Sequence, residues 1–341
     1  MKSLNFVYPE AQKLILVEEE VPAPGLNTIL IKSIVSHVSL GTEMHCYGGD
    51  FDSFTNWAEW VKHPFRPGYS TAGRIVEVGK NVVDFKPGDL VYCGKPHAQY
   101  ISVEYGENER NSLIGQPLYK IPDGLDTDEV IWSSMAGVAI VGCRKAKIEF
   151  GENVAVIGAG PIGQLTAQYA RLCGAVRVVS IDTIKPKLDY AMQCGGATDV
   201  LAIAAEDAAP AIEELLGAKP EVVFDCTGNY RVLRHACDIV KEYGRIILNG
   251  DTPFPTKQSL GSALSKSIDL HPVHGMIAGQ LHSLPWTAGR NTKMNFDFML
   301  QKRIKVKDLI THRFKPQEAP EFYHMLYTDR SFPAVGVLFD W

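Results

Sequence analysis

Residues 153–163 read Asn-Val-Ala-Val-Ile-Gly-Ala-Gly-Pro-Ile-Gly, and an amphipathic pattern, Gln-Leu-Thr-Ala-Gln-Tyr-Ala-Arg-Leu, continues to residue 172. The apolar start predicts a buried strand, and the glycines after it open a helix. A second apolar segment, 176–181, is followed by Asp182, nineteen residues after Gly163. This order of strand, G-x-G-x-x-G turn, helix, strand and acidic residue predicts a βαβ unit that binds a dinucleotide.

Each glycine of this turn has its own physical role. Gly158 permits the tight turn, Gly160 lets a pyrophosphate approach the backbone, and Gly163 lets the helix pack against the sheet. The first helical turn, which contains Pro161 and Ile162, would then face the phosphates with free N–H groups and the positive end of the helix dipole. We therefore expect all five residues to contact or shape the cofactor site.

The acidic residue after the second strand bears on the choice of cofactor. Asp182 would accept hydrogen bonds from the adenosine ribose and repel a 2′-phosphate, which favours NAD over NADP. Lys185 and Lys187 weaken this preference, because a nearby cation can accommodate a phosphate. Lys187 and Thr227 are further candidates for contacts with the cofactor.

The rest of the chain follows two patterns. Up to about residue 120 it reads as short strands separated by Pro-Gly turns, for example over 28–37 and 72–82. From about residue 125 strands alternate with helices, which is typical of a parallel sheet covered on both faces. We expect a β-rich domain over 1–134 and 279–341, interrupted by an α/β domain over 135–278.

Composition excludes several classes of protein. The chain has 341 residues and a formal net charge of −5, which argues against nucleic acid or an anionic membrane as the main partner. No apolar run approaches the roughly 20 residues of a membrane span, and the N-terminus has no signal-like apolar region. Seven cysteines without a C-x-x-C pair indicate reduced thiols, no four-cysteine zinc lobe and a cytoplasmic location.

Several motifs in this order resemble the medium-chain dehydrogenase/reductase superfamily, the relatives of zinc-type alcohol dehydrogenases. They are Gly-Tyr-Ser-Thr-Ala-Gly-Arg-Ile-Val-Glu-Val-Gly (68–79), Pro-Gly-Asp-Leu-Val (87–91), the 158–163 turn with Asp182, Asp-Cys-Thr-Gly (225–228) and Gly-Arg-Ile-Ile-Leu-Asn-Gly (244–250). The resemblance covers nearly the whole chain. It implies a doubly wound Rossmann sheet inserted into a GroES-like β-barrel catalytic domain, a small-molecule substrate, and a homodimer or homotetramer.

The resemblance also locates three positions that hold catalytic zinc in zinc-dependent members. Leu40 stands at the cysteine position, in Leu-Gly-Thr-Glu-Met-His, and Tyr69 stands at the histidine of a Gly-His-Glu motif. Ser133 falls near the third position. Leucine, tyrosine and serine do not supply the N, S or carboxylate ligands that zinc requires. We therefore expect a member without catalytic or structural zinc.

Without a metal, a general acid/base and hydrogen-bond donors must move the alcohol proton. The resemblance places Thr42 at the substrate oxygen and His45 at the end of a relay that passes the proton to solvent, a task that suits imidazole. Tyr69 is a candidate donor, and His97 precedes a strand that walls the pocket in this superfamily. Structural alternatives are that Thr42 caps a helix or turn, that His45 is a surface residue and that Tyr69 fills the core.

The substrate is indicated only by class. The segment over 50–60 mixes Trp57 and Trp60 with acidic residues, which suits a sugar, cyclitol or flat ring, although the two tryptophans could equally pack a short helix. The stretch over 39–43 resembles a zinc-free subgroup with sugar, cyclitol and bacteriochlorophyllide dehydrogenases. We expect an NAD-dependent, metal-independent dehydrogenase of a secondary alcohol. A zinc-free enoyl or quinone reductase and a non-catalytic nucleotide-binding relative are the alternatives.

Overall fold

The structure is a computed structural model that describes residues 1–106, 118–274 and 286–341. Its strands are β1 (Lys2–Val7), β2 (Ile15–Glu20), β3 (Thr28–His37), β4 (Thr71–Val78), β5 (Leu90–Cys93), β6 (Tyr100–Glu104), β7 (Tyr119–Lys120), β8 (Asn153–Ile157), β9 (Arg177–Ile181), β10 (Asp199–Leu201), β11 (Val222–Asp225), β12 (Arg245–Leu248), β13 (Asp269–Pro272), β14 (Ile310–Phe314) and β15 (Gly336–Asp340). Its α-helices are α1 (Leu40–Gly48), α2 (Asn56–Trp60), α3 (Thr127–Val130), α4 (Ser133–Ala146), α5 (Pro161–Leu172), α6 (Lys185–Gln193), α7 (Ala208–Leu216), α8 (Val232–Ile239), α9 (Ala288–Leu300) and α10 (Ala319–Thr328).

Six strands form a fully parallel sheet in the order β10-β9-β8-β11-β12-β13. Four consecutive residues of β8 and all of β11 are buried, as expected for strands covered by helices on both faces. The chain crosses from one side of the sheet to the other between β8 and β11, which is where ligands bind in folds of this type. The predicted Rossmann sheet is confirmed.

A second, seven-stranded sheet forms the β-rich part. Its order is β14-β15-β3-β4-β5-β7, and β6 pairs with β3 off this path. The last strand, β15, pairs antiparallel with β3 through Leu338 and His37, so both ends of the chain build one sheet. The proposed domain boundary at 278/279 lies outside the described residues.

Helix α4 joins the two parts. Met135 and Ile140 of α4 belong to one buried cluster with Val35 of β3 and Leu165 of α5. The helix is therefore buried by the β-rich part and the α/β part together. Among the described residues, no helix is long and apolar enough to cross a membrane.

The turns that carry the predicted catalytic residues lie at one end of β3 and β4. Helix α1 begins three residues after β3 ends, and Tyr69 lies just before β4. The amide of His37 donates to the carbonyl of Ser70 at 2.9 Å, which holds the two turns side by side. The antiparallel pairing of Ser36 with Thr71 continues this register.

Candidate active site

Three hydroxyl groups meet where β3 ends and α1 begins. The hydroxyl of Tyr69 donates to Ser39 Oγ, and Thr42 Oγ1 lies 3.3 Å from the Tyr69 oxygen. Burial raises the pKa of Tyr69 to about 12, although the hydrogen bonds to Ser39 and Thr42 oppose this shift. The phenol is therefore protonated at neutral pH and can donate a hydrogen bond to an oxygen placed beside it.

The hydroxyl cluster, defined as Ser39, Thr42 and Tyr69, stands at the beginning of a helix. The N-cap of α1 is Ser39, and Thr42 lies in the first turn. The N-cap role that sequence analysis offered as an alternative for Thr42 therefore falls to Ser39. Ser39 was not among the predicted functional residues, although it stands three residues before Thr42.

Two serines at the start of α4 complete the surroundings of Tyr69. Ser134 Oγ donates to the carbonyl oxygen of Tyr69 at 3.0 Å, which holds the backbone of that residue. Ser133, near the predicted third ligand position, is 3% exposed, and its Oγ accepts a hydrogen bond from Asn295 Nδ2 at 3.0 Å. Ser133 is therefore engaged with α9.

His45 lies where the two parts of the molecule meet. A Cβ built on Gly228, in the turn after β11, would lie 3.4 Å from His45 Nε2. The ring also packs edge-on against Trp57, with centroids 5.5 Å apart. Burial and the charge of Arg330 lower the pKa of His45 to about 4. The imidazole is neutral at physiological pH and reaches across to the α/β part; within the described residues it has no hydrogen bond to Thr42.

The structure buries His97 between Ser36 of β3 and Glu43 of α1. Its side chain has no exposed surface, its Nδ1 lies 2.7 Å from Ser36 Oγ, and its Nε2 lies 3.0 Å from Glu43 Oε2. Both ring nitrogens are occupied by protein partners. The arrangement joins the histidine to the first turn of α1. The contact between His97 and substrate stays a prediction.

The glycine-rich turn leaves room for a ligand. Gly158 has a φ of +95°, which favours glycine, and a Cβ on Gly163 would lie 1.8 Å from the Gly158 carbonyl oxygen. Gly160 is the N-cap of α5, without a side-chain capping bond, and a Cβ there would meet no atom within 4 Å. Free N–H groups of Ile162 and Gly163 at a helix start beside open space fit a pyrophosphate.

Asp182 and Lys187 lie beside this turn. Asp182 Oδ2 accepts the Ala159 N–H at 2.7 Å, and Oδ1 accepts the Ile184 N–H at 2.9 Å. Burial lowers the pKa of Lys187, and the charge of Asp182 opposes the shift, so the two side chains act on each other. Each carboxylate oxygen keeps a second lone pair that can accept a ribose hydroxyl.

Thr227 lies against the glycine turn. Its Cγ2 is 3.0 Å from a Cβ built on Gly158, and its Oγ1 donates to Asp225 Oδ1 at 2.7 Å. Burial raises the pKa of Asp225 to about 6. Thr227 is thus fixed at the end of β11, beside the space where a dinucleotide would cross the sheet.

The segment over 50–60 reaches the α/β part. Asp52 Oδ2 accepts hydrogen bonds from the Thr256 N–H at 3.1 Å and from its hydroxyl at 2.5 Å. Trp57 is only 4% exposed and stacks on Phe51. The predicted short helix is α2, and Trp57 serves its packing.

Comparison with known proteins agrees with this architecture. A family model described as alcohol dehydrogenase GroES-like domain matches residues 27–207, and one described as zinc-binding dehydrogenase matches residues 161–288. Sorbitol dehydrogenase of Ovis aries is 28% identical over 94% of this chain and 92% of its own length. L-threonine 3-dehydrogenase of Anaeromyxobacter dehalogenans (strain 2CP-C) is 28% identical over 100% of this chain and 99% of its own.

Solved structures show the same fold. A candidate zinc-binding dehydrogenase of Sinorhizobium meliloti 1021, crystallised with NADP, superposes with a TM-score of 0.80 at 20% identity, covering 100% of both chains. The predicted fold class, a Rossmann sheet together with a GroES-like catalytic domain, is therefore confirmed.

Proposed function

The chain belongs to the alcohol dehydrogenase family with a GroES-like domain and is an oxidoreductase acting on CH–OH groups, and within this family we propose that it is an NAD-dependent, metal-independent dehydrogenase of a secondary alcohol. The observation that supports the proposal is the hydroxyl cluster, in which Thr42 and Ser39 surround the Tyr69 hydroxyl. By the resemblance, this phenol stands where zinc-dependent members hold a ligand. The substrate class that we propose is a sugar, a cyclitol or a ring-bearing metabolite.

Zinc does not fit the residues at the three corresponding positions. Leu40 has no donor atom, the Tyr69 hydroxyl is bonded to Ser39, and Ser133 Oγ is bonded to Asn295. Across 1–106, 118–274 and 286–341, no group of three His, Cys, Asp or Glu side chains converges on one point. A site built from a neutral phenol and a buried serine lacks the anionic or imidazole ligands of catalytic zinc, which supports metal independence.

A dinucleotide fits the turn over 158–163. The nicotinamide ring, when bound, accepts or gives the hydride. Uncapped N–H groups at the start of α5 would hold the pyrophosphate, and Thr227 would lie beside it. The Asp182 carboxylate beside Ala159 supports a ribose with a free 2′-hydroxyl, and hence NAD. The cation of Lys187 acts in the opposite direction, because it can accommodate a 2′-phosphate.

The proton is handled by the chain's own side chains. Tyr69 stays protonated at neutral pH. In this structure its single hydroxyl hydrogen is donated to Ser39 Oγ, and with substrate bound it would turn to the substrate oxygen, where negative charge develops as the alcohol proton leaves, while Ser39 donates its own hydrogen to the phenol oxygen. Thr42 would share that oxygen, being 3.3 Å from the phenol. His45 is neutral, so it would accept a proton at the edge of the cleft and release it to solvent.

A substrate screen on metal-stripped protein tests the proposal. We expect chelator-washed enzyme to reduce NAD⁺ with at least one secondary alcohol among polyols, cyclitols and ring alcohols. Metal analysis should find less than stoichiometric zinc, and added zinc should not raise the rate. Turnover of enones but not alcohols would favour the reductase alternative, and activity that requires zinc would contradict metal independence.

Assembly and location remain predictions. We propose a homodimer or homotetramer, which light scattering of the purified protein would test. We also propose a cytoplasmic location, since all seven cysteines are unpaired thiols. A monomer in solution would contradict the proposed assembly, and export from the cell would contradict the proposed location. Neither result would bear on the proposed reaction.

A further inference from the structure

The Glu43 side chain is hydrogen-bonded to three separate segments of the β-rich part. It lies in the first turn of α1 and is 1% exposed. Its Oε1 accepts the Ser39 N–H at 2.7 Å, while its Oε2 faces His97 Nε2 at 3.0 Å and accepts the Tyr323 hydroxyl. One carboxylate thus joins the end of β3, the loop before β6 and helix α10.

The hydrogen-bond network assigns the direction of the His97 contact. Trp341 Nε1, which can only donate, bonds to Ser36 Oγ at 2.8 Å. The Ser36 hydroxyl hydrogen can then be donated to His97 Nδ1, which leaves the ring hydrogen on Nε2, facing Glu43. Three donors therefore converge on the two oxygens of the Glu43 carboxyl group.

Ser39 is held by Glu43 and itself holds Tyr69. A serine at an N-cap normally accepts an N–H of its own helix, which contributes about 1 kcal/mol. Ser39 is the N-cap of α1 but makes no such bond, and its Oγ accepts the Tyr69 hydroxyl instead. Two hydrogen bonds hold the backbone of Ser39 to Glu43: the Ser39 amide donates to Glu43 Oε1, and the Ser39 carbonyl oxygen accepts the Glu43 N–H at 2.8 Å. Only the first of them depends on the Glu43 side chain.

Resting on the proposed function, we propose that Glu43 is a positioning residue of the active site: it fixes Ser39, whose Oγ accepts the Tyr69 hydroxyl, and thereby holds the phenol beside Thr42, where the reacting oxygen would lie. Glu43 itself is buried and does not touch substrate. Its effect passes through Ser39, so the two residues act in series.

A double-mutant cycle tests this order of action. Glu43→Gln keeps the volume but turns an amide NH₂ toward one of the donors, and Ser39→Ala removes the acceptor for the Tyr69 hydroxyl. We expect each to lower kcat about ten- to a hundredfold, with little change in the KM for NAD⁺, as for other residues that orient a reacting group. The double variant should be no slower than the slower single variant. Losses that multiply would overturn the proposal.

A matched control separates positioning from stability. Glu129 is also a buried glutamate in the first turn of a helix, α3, where it accepts the Asp126 N–H at 3.3 Å. Glu129→Gln should lower the melting temperature and leave kcat unchanged. If Glu43→Gln also changes only the melting temperature, Glu43 is merely structural.

A spectroscopic arm does not depend on knowing the substrate. In protein with ring-¹³C tyrosine, the Tyr69 signal is identified by its loss in Tyr69→Phe. Its chemical shift should change in Glu43→Gln and in Ser39→Ala but not in Glu129→Gln. An unchanged chemical shift in Glu43→Gln overturns the proposal. If wild-type protein oxidises no alcohol, the proposed function fails while this arm still reports on Glu43. Should Glu43→Gln not fold, Tyr323→Phe removes one of the three donors, and the same signal should move.

Discussion

The imidazole of His45 faces Gly228, one of the points at which the β-rich part and the α/β part meet. A Cβ on Gly228 would lie 3.4 Å from His45 Nε2 and 2.9 Å from the Asp251 carbonyl oxygen. The φ of Gly228 is +65°. Space and backbone conformation therefore both favour glycine at this point of the cleft.

We expect Gly228→Ala to reduce turnover about tenfold, because the new methyl group pushes on the Asp251 carbonyl and on His45 where the two parts meet. Its stability should fall by about 1 kcal/mol, the usual cost of alanine at a positive φ. Steady-state kinetics and urea unfolding measure the two effects. Gly217→Ala is the control, since Gly217 has a φ of +75° but no atom within 4 Å of its Cβ. Gly217→Ala should be less stable but keep its turnover number. An equal loss of turnover in both variants would contradict the expectation.

Removing the phenol hydroxyl should abolish most of the chemistry. We expect Tyr69→Phe to lower kcat about a hundredfold or more, the usual contribution of a general acid/base, and to leave NADH affinity unchanged. Fluorescence titration and initial rates distinguish the two. Tyr169→Phe, another buried tyrosine with a hydrogen-bonded hydroxyl, should retain turnover. A Tyr69→Phe enzyme with full activity would remove Tyr69 from the mechanism.

The proposed preference for NAD over NADP rests on Asp182. We expect wild-type protein to bind NADH more tightly than NADPH, since the carboxylate repels a 2′-phosphate. Asp182→Asn should weaken NADH binding about tenfold and reduce the difference in affinity between NADH and NADPH. Lys187→Ala should weaken the binding of NADPH further. Lys185 is paired with Asp189 on the surface, so Lys185→Ala should change the affinity for neither cofactor. Tighter binding of NADPH by the wild type would contradict this expectation.

Two buried histidines should make the fold sensitive to acid. Burial lowers the pKa of His37 to about 3, and burial with the charge of Arg330 lowers that of His45 to about 4. Because the unfolded chain titrates near pH 6.5, it binds more protons than the folded chain between pH 6.5 and pH 4. Stability should therefore fall as the pH is lowered through this window, by up to about 1.4 kcal/mol per pH unit for each histidine.

Urea unfolding at pH 7, 6, 5 and 4 measures this loss. His37→Asn should show a shallower dependence on pH, because asparagine does not titrate. His235, which is half-buried and on the outer helix α8, provides the control, and His235→Asn should keep the wild-type slope. A slope in His37→Asn that equals the wild-type slope would show that His37 does not cause the loss of stability.

The cofactor site could be predicted from the chain because its parts are close in sequence. The strand, the glycine turn, the helix and Asp182 occupy one continuous βαβ unit, and local patterning and steric rules specify each of them. The hydroxyl cluster was found only in part. Thr42 and Tyr69 were predicted, whereas Ser39 and Glu43 were missed, although a glutamate four residues after an N-cap serine is a visible pattern.

The role of His97 could not be found this way, since its partners Ser36 and Glu43 are separated from it by 61 and 54 residues. The sequence by itself determined the fold class and the glycine-rich turn, because these follow from residue type and short-range spacing. Only the tertiary structure decided which side chains face each other across the cleft and which are enclosed. Hydrogen bonds between distant segments form only once packing has removed water and brought the segments together.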